Sequence, residues 1–280
     1  MPSARTAVNA GLALLAAALA AWLVFKPTPG QEQSAALLVV DAAAVDRIRL
    51  QRAGLPPLEL ARVGGDWRLT APIAARADAI KVERLLEVAR ARATATFPAE
   101  ELAQYDLQPP AAELALGAAT LAFGMLNPVT SQQYVLAGDR VHAVSPRHFA
   151  ALPLTADDLI SRALLAPGET LTALELPGVS ARRGEAGWSL DGAPAAMSRD
   201  DINVWVDRWR HAIAADAAAL DKAADPRADG ALLLEDGRRA PIAVERSDAG
   251  VFVTRIDERV RYRFPPEVGA AMLTPPEPER

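Results

Sequence analysis

The stretch GDWRLTAPIAARADAIKVERLLEVARARA, residues 65–93, decides the fold. Trp67-Arg68-Leu69 ends a strand, Pro72 opens a loop, and Asp78 stands where a helix begins. A carboxylate there accepts hydrogen bonds from the free amides of the first turn. Val82, Leu85, Leu86, Ala89 and Ala93 then recur at i, i+3, i+4, i+7 and i+11, the spacing of one helical face. The pattern returns at an offset of 120 residues. Gly187-Trp188-Ser189-Leu190 supplies a second Trp-bearing strand, and Pro194 a second loop. Ser198 gives a second cap, followed by the stripe Ile202, Trp205, Val206, Trp209 and Ile213. The chain therefore reads as a duplication, and the duplication speaks to architecture before it speaks to chemistry.

Outward from these helices, each unit adds the same elements. Residues 45–52 alternate apolar and charged side chains as a half-buried strand does. Residues 58–61 and 67–70 flank Gly64-Gly65, a hairpin turn. Four short strands near residues 113–116, 120–123, 133–136 and 141–144 are separated by Gly117, Gly124, Asn127-Pro128 and Gly138-Asp139. Ser145-Pro146 then starts a helix through Leu152, with Ser145 as its cap. The second unit offers strands near 171–176, 180–183 and 188–190, the helix from Ser198 to about Ala215, and a polar connection over 217–229. Four strands near 232–235, 241–245, 251–255 and 260–264 follow, closing on Pro265-Pro266. Each unit is expected to have its own core and to meet the other across a modest interface.

The amino terminus carries a separate signal. Thr6 to Phe25 is an uncharged run of about 20 residues, the length that crosses a bilayer core. Arg5 and the terminal amine outweigh the lone Lys26, which favours a cytoplasmic amino terminus. Ala18-Leu19-Ala20 mimics a signal-peptidase site, but Trp22-Leu23-Val24-Phe25 continues the apolar run beyond it. The expected organisation is a cytoplasmic end at 1–5, a transmembrane anchor at 6–25, a linker at 26–40, and repeats at 41–165 and 170–275. The expected fold class is α+β: an N-terminal transmembrane helix followed by two tandem repeats. Each repeat is a mainly antiparallel sheet with one long helix packed on a face and a short terminal helix.

Composition narrows the function classes. Among 280 residues the net charge is −5 with no dense Lys/Arg block, which leaves no electrostatic footprint for nucleic acid. Cysteine is absent, so disulfides and thiolate metal sites are excluded. Apolar residues make up 51% but aromatics only 5%, so a few large side chains carry much of the burial.

In its Val45–Leu50 strand, Gly65-Asp66-Trp67-Arg68-Leu69 segment with Pro72 and Asp78, Tyr105-Asp106-Leu107-Gln108-Pro109 turn and Leu121-Ala122-Phe123-Gly124, the chain resembles the DUF4340 family of membrane-anchored bacterial proteins. The family has Tyr-Gly-Leu at the turn where this chain has Tyr105-Asp106-Leu107, and Asp tolerates left-handed geometry better than most residues. The resemblance implies an extracytoplasmic accessory protein, similar to auxiliary components of gliding-motility-type ABC transporters. It carries over no catalytic residues.

Candidate chemistry is sparse. Ser145 and His148 sit three apart, like a nucleophile and base, but no carboxylate in the local sequence orients the imidazole as a triad requires. Asp157-Asp158 and Asp200-Asp201 look like paired carboxylates, yet both fall in first turns of helices, where negative charge is stabilised by capping and the macrodipole. Asp216, Asp221, Asp225 and Asp229 lack the spacing and terminal Glu of a calcium loop. No phosphate-binding G-x-x-x-x-G-K-[ST] occurs. Trp188, Trp205 and Trp209 could form an aromatic platform, but helical register makes the last two core anchors. No catalytic, cofactor-binding or metal residue is assigned and no cofactor is expected. The expected partners are the inner membrane, through residues 6–25, and a protein of a transport complex. The function expected is a non-enzymatic, membrane-tethered extracytoplasmic binding or scaffolding module accessory to an ABC-type transport assembly. The alternatives are an envelope hydrolase, or a small-ligand or glycan receptor using a cleft between the repeats.

Overall fold

Residues 36–37, 41–191 and 198–275 are described by a computed structural model. Alternation writes the first sheet. In β1 (Arg47–Arg52), Ile48 and Leu50 are buried while Arg47 and Arg49 stay exposed, the period of two that a half-buried strand demands. β2 (Leu58–Val63) and β3 (Asp66–Ala71) make a hairpin whose turn residues, Gly64 and Gly65, have φ of 63° and 96°. β4 (Ala75–Arg76) pairs with β3. Helix α1 (Ala79–Ala89) then carries the chain to the opposite edge, where β5 (Ala95–Pro98) lies. β6 (Ala112–Leu116), β7 (Ala119–Asn127), β8 (Gln132–Ala137) and β9 (Arg140–Val144) return as a meander, followed by the single turn α2 (Arg147–Ala150). The strand order is β4-β3-β2-β1-β6-β7-β8-β9-β5.

The second half contains β10 (Leu171–Leu176), β11 (Val179–Gly184), β12 (Gly187–Asp191), helix α3 (Arg199–Arg210) and β13 (Asp216–Ala219). β14 (Gly230–Leu234), β15 (Arg239–Ser247), β16 (Gly250–Arg255), β17 (Val260–Phe264) and helix α4 (Pro266–Leu273) complete it. Its order, β12-β11-β10-β14-β15-β16-β17-β13, repeats the first sheet strand for strand, apart from β4. The likeness extends to the segment entering each repeat. Ala36 bridges Arg92 just past α1, and Ala163 bridges Ile213 just past α3.

This architecture corrects the expected fold class. The described residues are mostly antiparallel sheet, in two sheets of nine and eight strands, rather than two repeats of α+β class. Among the described residues no helix is long and apolar enough to cross a membrane; the expected span at 6–25 lies outside them. Three local expectations also change. Residues 95–98 and 216–219, one unassigned and the other placed partly in a connection, are edge strands, because β9 and β17 offer them open ladders. Ser145 caps nothing: α2 is four residues long, its N-cap is Pro146, and no side chain bonds its free amides. Finally, the inner faces of both repeats share one contiguous cluster of buried residues, from Leu37 and Val82 to Trp209 and Leu273, rather than each having a core of its own.

The helices bury the faces their spacing defines except at the last positions: α1 ends at Ala89 and α3 at Arg210, so Ala93 and Ile213 lie beyond them and Ile213 is exposed. Asp78 accepts from the amides of Ile80 and Lys81 at 3.0 and 3.2 Å, and α1 buries Val82, Leu85, Leu86, Val88 and Ala89. Ser198 and Asp201 form a reciprocal capping box at α3, which buries Ile202, Trp205, Val206 and Trp209. The Trp209 indole donates to the Met272 carbonyl at 2.8 Å, tying α3 to α4, whereas the Trp205 indole has no protein acceptor among the described residues.

Residues 99–110 cross the outer face of the first sheet, where Leu107, Phe97, Leu102 and Tyr105 build a small second core over Ala122 and Val141. Asp106 adopts φ 52° at the turn. A Cβ at Gly124 would collide with the Tyr105 carbonyl oxygen, so the Tyr105–Pro109 turn and the Leu121–Gly124 segment are halves of one contact.

The free edges of the two sheets are treated differently. On β13 the amide of Ala219 donates to Asp157 Oδ1 at 3.1 Å, and Asp157 belongs to the end of the first repeat. Pro98 holds the matching place on β5, since it pairs with the first residue of β9 as Ala219 pairs with the first residue of β17. It has no amide to offer.

Two outcomes test this packing by urea denaturation. Trp209→Phe is expected to cost about 1–2 kcal/mol more than Trp205→Phe, because only the former abandons a buried protein acceptor. Gly124→Ala is expected to cost about 1–3 kcal/mol through forced displacement of the Tyr105 turn.

Candidate functional site

The densest group of ionisable side chains lies where the repeats meet. The strand register carries it there. In β16, Val251 and Val253 alternate inward, and Arg255 continues the same face, so its side chain is fully buried. In the first repeat β4 ends in Arg76, also buried. Between them runs the connection 161–170, which turns the carbonyls of Ala163, Leu164 and Leu165 toward the two guanidinium groups.

Arg255 donates to Glu169 from Nη1 at 3.1 Å and Nη2 at 3.3 Å. It also reaches Asp257 from Nε at 2.9 Å and Nη2 at 2.8 Å, and the Leu164 carbonyl at 3.0 Å. Arg76 forks onto Glu258, from Nε at 2.8 Å and Nη2 at 3.0 Å. It also donates to the carbonyls of Ala163, Leu164 and Leu165 and, at 2.9 Å, to the Tyr262 hydroxyl. The Tyr262 hydroxyl in turn donates a hydrogen bond to Glu258 at 3.0 Å. Arg238, on the surface, completes Glu169 at 3.1 Å.

The electrostatics follow from this pairing. Burial acts to lower the pKa of Arg255, but its bonds to Asp257 and Glu169 and the charge of Glu258 outweigh it, so its pKa is raised. Burial likewise disfavours charge on Arg76, and Tyr262 and Glu258 reverse the balance upward. Burial pushes the Glu169 carboxyl up, yet the bonds from Arg255 and the Ala166 amide, with the charges of Arg255 and Arg76, bring it below the usual range. The Tyr262 phenol is raised, by burial first and against the pull of Arg76, with Glu258 adding to the rise. Arg255, Arg76, Glu169 and Tyr262 are thus each held in their ordinary charge state. A general acid or base would need a pKa moved toward neutrality, and the cluster moves these four away from it. Its chemistry is that of a clamp.

The residues singled out in the sequence take other places. The amide of His148 donates to the Ser145 carbonyl at 3.3 Å, and that is the one hydrogen bond between them among the described residues. Burial lowers the His148 pKa, as does Arg147, against a smaller upward pull from Glu87. His142 is lowered by burial and by Arg140, and its Nδ1 lies 3.2 Å from Thr96 Oγ1. His211 is exposed past the end of α3. Asp157 caps the β13 edge; Asp158 Oδ2 accepts from the amides of Leu154 and Thr155. Asp201 completes the capping box, and Asp200 lies in the same first turn. Asp221 and Asp229 accept backbone amides from Ala223 and Val244, and Asp216 accepts from Ala217. Among the described residues no three of these carboxylates or histidines converge as metal ligands. Trp188 is half-buried against the main core.

Sequence reasoning missed the clamp altogether. One signal could have found it: Arg255 occupies an inward position of the alternating run Val251-Phe252-Val253-Thr254-Arg255, and a charge there demands a partner.

Fold and clamp together define a duplicated antiparallel-sheet module whose halves are joined by buried ion pairs. A family model, domain of unknown function (DUF4340), matches residues 67–226, more than half of the chain, and the chain belongs to that family. The matched span starts in β3 and ends beyond β13, so it includes both long helices and the connection between the repeats. No curated protein and no solved structure matches the chain.

Removing one partner from a buried pair leaves an uncompensated charge. Arg255→Met is therefore expected to destabilise by about 3–5 kcal/mol in urea titration. Arg255→Met combined with Glu169→Leu is expected to lose less than the two single changes summed. Because Glu169 is depressed in the folded state, its contribution is full above its unfolded pKa and is lost as pH falls through the folded value. Below about pH 4.5 the parent chain is expected to lose stability more steeply than Glu169→Gln, as followed by thermal melts against pH.

Proposed function

We propose that this chain is a non-enzymatic binding or scaffolding module, working outside the cytoplasm at the inner membrane as an accessory part of an ABC-type transport assembly. The observation that carries the reading is the clamp. Among the described residues the charged groups with the greatest burial are all engaged in joining the sheets, so they supply rigidity. A stiff double-sheet frame suits a part that holds other proteins in place. The location rests on the uncharged run of residues 6–25 with Arg5 before it. The transport setting rests on what membership of the family implies.

Affinity purification of the full chain from solubilised membranes, followed by mass spectrometry, tests the proposal. Near-stoichiometric recovery of a transporter's ATPase and permease subunits is expected. Recovery of the chain without either subunit overturns the assignment.

A further inference from the structure

We infer that the α3–α4 face of the second repeat is a self-association surface, on which a second copy of this chain docks about a two-fold axis.

Three of the exposed large apolar side chains lie on this face: Val204 at 55% exposure, Ile213 at 69% and Val268 at 49%. Between α3 and α4 opens a cleft of about 510 Å³, floored by Phe264, Ala271 and Met272 and walled by Arg208, Ile213 and Val268. The fold itself does not require this apolar surface, because the first repeat does without it. Arg84 holds the place of Val204 on α1, Arg92 bridges Ala36 as Ile213 bridges Ala163, and His148 lies where Val268 does, past the last strand. One copy of the unit is polar at all three positions and the other is apolar at all three.

The cleft is also preformed. Gly269 lets α4 settle onto β16 so closely that a Cβ there would strike the Val251 side chain. Arg208 donates to the Ala271 carbonyl at 2.9 Å, and Trp209 to that of Met272 at 2.8 Å. A rigid apolar groove with protruding apolar flanks can receive a ridge without reorganising, which limits the ordering cost of association.

Charge identifies the occupant. The α3 wall carries Arg208 and His211, and the α4 wall carries Glu267; all three are exposed. Among the described residues neither Arg208 nor Glu267 makes an ion pair. One sign on each side of an apolar floor is self-complementary. A two-fold rotation places the α3 wall of one copy against the α4 wall of the other, so Arg208 meets Glu267 twice and Val268 enters the facing cleft. This goes beyond the proposed transport role, and its test does not require a transporter.

The experiment uses the purified full chain in mild detergent, with sedimentation velocity as readout. The parent is expected to dimerise. Arg208→Glu and Glu267→Arg are each expected to weaken the dimer about tenfold or more, since each opposes like charges at both contacts. An equimolar mixture of the two variants is expected to restore association, because the mixed pair has opposite charges at both contacts. The absence of cysteine supplies a second readout. Chains bearing Ile213→Cys and Val268→Cys, mixed and oxidised, are expected to cross-link about tenfold more than chains bearing Val129→Cys, on an exposed hairpin tip. A monomeric parent, no rescue in the mixture, or cross-linking equal to the Val129 control each overturns the inference.

Discussion

A guanidinium removed from water is the constraint around which this molecule is arranged. Arg255 has no exposed side-chain surface, and taking such an ion out of water costs several kcal/mol unless its donors all find acceptors. Those acceptors come from three places: Asp257 on the following turn, Glu169 on the connection between repeats, and the Leu164 carbonyl. Arg76 brings the first sheet to the same stretch of connection through three successive carbonyls. The path of residues 161–170 is therefore prescribed by two cations. That path also delivers Leu164 to the end of α3, where its amide bonds the Ala212 carbonyl. Apolar contact between the halves tolerates sliding; directed charge-assisted bonds do not.

The duplicated fold sits beneath unduplicated surfaces. Ala137 ends β8 where Arg255 ends β16, each pairing with the first residue of the strand after the turn. His142 takes the place of Tyr262 in the same ladders. The clamp thus uses residues that one copy has and the other lacks. Equal topologies with unequal decoration allow one repeat to face its twin while the other presents a different chemistry to solvent.

What the sequence disclosed and what it hid divide along a physical line. The helix stripes, their caps at Asp78 and Ser198, the Gly64-Gly65 turn and the meander strands rest on contacts a few residues apart, and those patterns are written locally. β5 and β13 are not. Asp216-Ala217-Ala218-Ala219 has little strand propensity, and Ala95-Thr96-Phe97-Pro98 holds only two strand-favouring residues ahead of a proline; both become strands because an open ladder waits beside them. The clamp joins Arg76 to Glu258 across 182 positions, a distance over which no periodicity speaks. The single core across both repeats was hidden for the same reason: each stripe revealed that it was buried, and not against what.

Pro98 has a consequence for how the edge of one such unit can be sealed by another. The first repeat seals the second by placing Asp157 on the Ala219 amide. A further unit arriving upstream in the same head-to-tail manner would bring its own carboxylate to an imino nitrogen that carries no hydrogen. This one hydrogen bond can therefore be made at β13 and not at β5, so the edge seal between the units runs in one direction along the chain.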